Sequence, residues 1–123
     1  MTFILTRPVG NSGDEIINTP VDIVIPAGTS TNVDLCSCTQ LSVKWIITLY
    51  NELEDKVHSA EILGMHRFQT NPKHTRYAKV GDKLSYDTDV NIVGGSFILI
   101  ITNNEAFDLT ASVTRIKTTN KEG

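Results

Sequence analysis

The sequence predicts an all-β fold: an antiparallel β-sandwich, jelly-roll-like, of seven to eight strands with an N-terminal arm or hairpin. Three observations predict it. Short runs of alternating apolar and polar residues follow one another through residues 41–116, the period of strands with one buried face. Gly, Asn and Pro clusters separate these runs as turns would. No stretch of helical length carries a 3.6-residue period, since residues 51–56 and 105–108 suffice only for single turns.

In chain order, residues 1–20 read as an arm, because a short apolar start gives way to the turn formers of Arg7-Pro8-Val9-Gly10-Asn11-Ser12-Gly13. Residues 21–123 then form a single domain. Residues 21–25 are a short strand closed by Pro26-Ala27-Gly28, and residues 31–36 are expected beside it as an edge hairpin. Residues 42–50 are the central strand, with Val43, Trp45, Ile47 and Leu49 on one face and Lys44, Ile46, Thr48 and Tyr50 on the other. Residues 51–55 turn the chain. Residues 56–66 return it, with Val57, Ala60, Ile62 and Met65 expected in the core and a bulge near Gly64.

Residues 67–79 read as a basic, irregular connection. Residues 84–92 alternate cleanly, with Leu84, Tyr86, Thr88, Val90 and Ile92 inward. Gly94-Gly95 supplies a hairpin turn, since both residues adopt positive φ without strain. Residues 96–102 are apolar on both faces, as in a strand that is central or covered on both sides. Residues 103–105 turn, residues 109–116 form the last strand, and a polar tail follows from Lys117.

Composition excludes several function classes. A net charge of −3 gives no global attraction to nucleic acid or anionic lipid. No apolar stretch approaches the length of a membrane-spanning helix. The start, Met1-Thr2-Phe3-Ile4-Leu5, lacks the basic region and long apolar core of a signal peptide, so synthesis in a reducing cytoplasm is expected. Cys36 and Cys38 are two apart, too far along an extended strand for a disulfide, and read as buried thiols.

Each candidate site also has an ordinary structural role. Asp87-Thr88-Asp89-Val90-Asn91 matches the first half of a calcium loop, but Ile92 stands where glycine is required and Ile98 where a bidentate Glu is required. His58 and His66 on one unbroken strand face would lie about 27 Å apart, too far for one zinc. The three histidines therefore read as surface or edge residues. No nucleophile elbow, HExxH motif or flanking carboxylate pair is visible, so no enzyme activity, metal or cofactor is expected.

The segment from Arg67 to Lys83 is more suggestive. Arg67, Lys73, His74, Arg76, Lys79 and Lys83 are interleaved with Phe68 and Tyr77, a set that docks an acidic protein neighbour better than DNA. Tyr50, Phe68 and Tyr77 are the aromatics left for stacking a sugar, since Trp45 and Tyr86 fall on inward patterns.

Taken along the chain, Pro26-Ala27-Gly28-Thr29, Val33-Asp34, Val43-Lys44-Trp45-Ile46, residues 56–63 through His66, Tyr77, Gly81, Asp89-Val90, Gly94-Gly95, Thr102 and Val113-Thr114-Arg115-Ile116 carry a resemblance. Over residues 21–116 the chain resembles a β-sandwich module of tailed-bacteriophage virion proteins. Its shared motifs are turn glycines and core strands, so no functional residue carries over. The resemblance implies a virion structural protein, first a capsid decoration protein and alternatively a neck, tail or fibre module or a glycan-binding adhesin. Its implied partners are the major capsid protein or other virion proteins, or a host glycan under the alternative, and it implies a homo-oligomer, a trimer by analogy. Multivalent protein–protein contact would be its mode of action. The partner-binding candidates are Phe3, Ile4 and Leu5 in the arm, with Arg67, Phe68, Lys73, Arg76, Tyr77 and Lys79.

Overall fold

The computed structural model describes residues 15–16 and 21–117. The described residues form nine strands and no helix: β1 (Glu15–Ile16), β2 (Val21–Ile25), β3 (Ser30–Ser37), β4 (Ser42–Asn51), β5 (Lys56–Met65), β6 (Lys73–Gly81), β7 (Tyr86–Val93), β8 (Ser96–Asn103) and β9 (Leu109–Lys117). They make an antiparallel β-sandwich. The large sheet runs β9-β4-β5-β6, with β1 and β2 sharing the outer edge of β9. The small sheet runs β3-β8-β7.

The core lies between the layers. From β4 come Val43, Trp45, Ile47 and Leu49, all fully buried, and from β8 come Phe97, Leu99 and Ile101. The alternation read in β4 and β7 is the alternation observed. The two-faced apolar character of β8 follows from its central place in the small sheet. Gly94 and Gly95 turn β7 into β8 with φ of 56° and 81°, as a two-residue hairpin requires. Cys36 and Cys38 are buried and not joined in a disulfide.

Five expectations need correction. β2 and β3 are not a hairpin: β2 pairs with β9 and β3 with β8. At the turn, Gly28 N–H donates to Asn103 O and Asn103 N–H to Thr29 O, so β8 captures the chain before it can return along β2. On β5, Ala60 and Ile62 are buried as expected, but Val57 and Met65 are exposed, and His58 on the strand and His66 just after it are buried instead. The β4–β5 register is unbroken through Gly64, and the bulge lies instead against β6, between Ser59 and Glu61. Gly64 serves close packing: a Cβ there would stand 2.9 Å from Trp45 Cζ3.

The basic connection contains a strand, β6, which forms the free edge of the large sheet. Lysines and a bulge on such an edge discourage pairing with another chain. Finally, His58 and His66 are not surface residues; each is buried with both ring nitrogens partnered.

Candidate functional site

The two sheets are held at their sides by different polar contacts. On the β7 side, Arg76 lies inward, opposite Ile62. Its guanidinium sits 4.2 Å from the Tyr86 ring centroid and donates to Tyr86 O at 3.1 Å. Tyr86 Oη donates to His58 Nε2 at 2.8 Å, and His58 Nδ1–H donates to Asp82 O at 2.9 Å. Burial pushes the Tyr86 phenol above its ordinary range, although Arg76 pulls the other way. His74 Nε2 is 3.1 Å from the Thr88 hydroxyl. Arg76 therefore bridges the layers, from a strand that sequence patterning missed.

The loop between β5 and β6 is the most unusual surface feature. His66 anchors it. Gln40 O only accepts, so His66 Nε2 carries the proton (2.7 Å), and Nδ1 accepts from Gln69 N–H (2.9 Å). Arg67 and Thr70 exchange backbone hydrogen bonds in both directions. Between them Phe68 and Gln69 take φ of 50° and 67°, a left-handed pair that normally calls for Asn or Gly. Each such residue costs on the order of 1–2 kcal/mol. The result is a fixed tip with Phe68 75% exposed.

This loop lies at a definite pole. Ser42 pairs with Met65, Val43 with Lys117, and Glu15 with Lys117. The start of β1 and the end of β9 therefore share the pole of Arg67 and Phe68. The turns at residues 26–29, 51–55, 82–85 and 104–108 occupy the other pole, where Ala27 N–H donates to Asp108 Oδ1 and Ser85 N–H to Glu105 Oε2. A shallow cleft of about 450 Å³ there is lined by Lys83, Ser85, Asp87, Asn104 and Glu105 among others.

The candidates named from sequence thus divide. Arg67, Phe68 and Lys73 gather at the first pole. Tyr77 lies mid-strand on the outer face, paired with Glu61. Burial and then its interaction with the Glu61 carboxylate raise its pKa. Lys79 is exposed at the bulge, toward the other pole. Phe3, Ile4 and Leu5 lie outside the described residues. Of the aromatics, Trp45 and Tyr86 are core, as their patterns predicted. Among the described residues no group of three or more His, Cys, Asp or Glu is placed to hold a metal ion. Sequence reasoning missed Glu61, Leu63 and Val80, which the pairing of β5 with β6 sets beside Tyr77.

No family model matches the chain. No curated protein matches it. Among solved structures, the tailspike protein of Acinetobacter phage vB_ApiP_P1 is similar over 98% of this chain, with a TM-score of 0.50 and 10% sequence identity. The chain spans 24% of that protein's length. At that identity the likeness is one of fold.

Proposed function

We propose that the chain is a tail- or fibre-type module of a tailed-phage particle, acting through surface contact and not through catalysis. The observation that carries the reading is the similarity of nearly the whole sandwich to a portion of a phage tailspike. The virion-module resemblance of residues 21–116 supports the same reading.

The poles suggest how such a module would sit. The described chain begins and ends at the pole that also presents Arg67, Phe68 and Lys73. Attachment through this pole to another virion protein brings the strained Phe68 tip into the contact. Phe3, Ile4 and Leu5, which precede β1 in sequence, would add apolar area to it. A tip already held by His66 loses little conformational entropy on binding. The opposite pole then faces outward, where the exposed Leu53 sits among Glu52, Glu54 and Asp55.

Cryo-electron microscopy of the intact particle tests the proposal, with the sequence fitted to density. Density at the tail or its fibres supports it. Regular density over the head assigns the protein to capsid decoration instead, with the major capsid protein as partner. Absence from the particle removes the virion reading and moves a glycan-binding screen to the front.

A further inference from the structure

We infer that a second copy of this chain docks on the outer face of the large sheet, sheet against sheet. The outward positions of β7, in the small sheet, carry Asp87, Asp89 and Asn91 with one exposed apolar residue, Val93, a largely solvated pattern. The outward positions of β5 carry Val57, Ser59, Glu61, Leu63 and Met65 instead. Val57, Leu63, Met65 and Val80 are all exposed, Leu63 and Met65 at 40% and 43%. Ile46 and Tyr77 lie half-buried among them.

The polar groups of this face are largely matched already. Lys44 Nζ is 3.4 Å from Glu61 Oε1. Glu61 also engages Tyr77. The Thr48 and Ser59 hydroxyls bond each other at 2.8 Å. Covering such groups leaves few new unsatisfied donors or acceptors, the main cost of burying polar surface. The β9 positions facing out are Thr110, Ser112, Thr114 and Ile116; the first three are short side chains that let a second sheet approach to the usual spacing of about 10 Å.

The area suits a copy of the same face. Strands about 4.8 Å apart and residues about 3.3 Å apart give a face of roughly 700 Å² from β2 to β6. A standard stable interface buries about 800 Å² on each partner. A charged partner finds no complementary field here, because Lys44 and Glu61 cancel and, among the described residues, Asp22 and Lys73 remain, near opposite edges. A second copy brings an equally neutral and apolar face, with no like charges forced together, in an isologous contact. The purified chain tests this inference without a phage particle, so it stands or falls separately from the virion reading.

The experiment is sedimentation equilibrium of the full chain across concentration, beside Leu63→Lys, Met65→Lys and the control Leu53→Lys. Leu53 is 95% exposed on the β4–β5 turn, away from the face. The expected result is a concentration-dependent dimer whose dissociation constant rises roughly thirtyfold or more for either face variant and does not change for the control. Should Leu63→Lys fail to fold, Val80→Lys on the edge strand reads the same face. A monomer at every concentration overturns the inference, whether the face is bare or covered by residues 1–14. So does a dimer that the face variants leave intact, or one that Leu53→Lys weakens equally.

Discussion

Trp45 and Asp34 join the two sheets: the indole Nε1–H donates to Asp34 Oδ2 at 2.8 Å. The same oxygen accepts from Arg115 Nη1 at 3.0 Å. A register shift between Asn32 and Asp34 marks the β-bulge from which this carboxylate reaches the large sheet. Asp34→Ala is expected to cost about 2 kcal/mol, because a fully buried indole loses its acceptor and the Arg115 guanidinium keeps only Leu35 O, less a discount for the part of the pair that water reaches. Asp34→Asn keeps an acceptor for Trp45 and should cost about half as much. Trp45 is the only tryptophan, so its fluorescence during urea unfolding reports the change directly. Equal stability in both variants and the wild type would rule out a structural role for the contact.

Three glycines should rank by what a methyl group would meet. At Gly81 a Cβ would lie 2.4 Å from Val57 O with φ at +99°, a backbone clash that no side chain can relieve. At Gly64 it would meet the Trp45 and Phe97 rings at 2.9 and 3.2 Å, for about 1–3 kcal/mol of overpacking. At Gly94 nothing lies within 4 Å, leaving only the left-handed backbone cost of about 1–2 kcal/mol. Alanine variants compared by chemical denaturation should lose stability in the order Gly81, Gly64, Gly94. A Gly94 variant as damaged as Gly81 would contradict the packing described.

What sequence made legible was the part of the fold where alternation and burial coincide. In β4 and β7 apolar letters face the core, so period alone sufficed. β6 failed because its inward residues are His74 and Arg76, satisfied by Thr88 and Tyr86 from the other sheet. β5 was legible only at its middle, where Ala60 and Ile62 face the core, because Val57 and Met65 stand on the opposite parity. Its histidines go in because Tyr86, Asp82, Gln40 and Gln69 meet their nitrogens, while Val57 and Met65 go out. The candidate surface was half legible for the same reason. Arg67, Phe68 and Lys73 were named from composition, but the face around Leu63 exists only once the phase of β5 is known.

The Phe68 tip should be less stable than its glycine version. Phe68 is mostly exposed and held at φ 50°, so Phe68→Gly sheds the strain and loses little packing. The gain is set against the extra freedom glycine brings to the unfolded chain, about 0.5–1 kcal/mol. A net stabilisation of about 0.5–1 kcal/mol is expected in urea unfolding, together with weaker particle attachment if the pole makes the contact. A destabilised variant would show that the ring packs against the protein.

Alkaline pH should weaken the fold from about pH 9 upward. Burial raises the Cys38 thiol from its ordinary 9.0, and burial is also the first cause raising Tyr77 and Tyr86 from 10.0. Each group holds its proton more tightly folded than unfolded. Its contribution is therefore fully present below the unfolded pKa and is lost as pH climbs through the folded one. The urea midpoint should fall between pH 8 and pH 11, the earliest part of the fall belonging to Cys38. Cys38→Ala should remove that early part and leave the later one. The same burial keeps the thiol protonated near pH 8, so native protein should alkylate far more slowly at Cys38 than urea-unfolded protein. A flat midpoint across this range, or rapid alkylation of the native chain, would place Cys38 in contact with solvent.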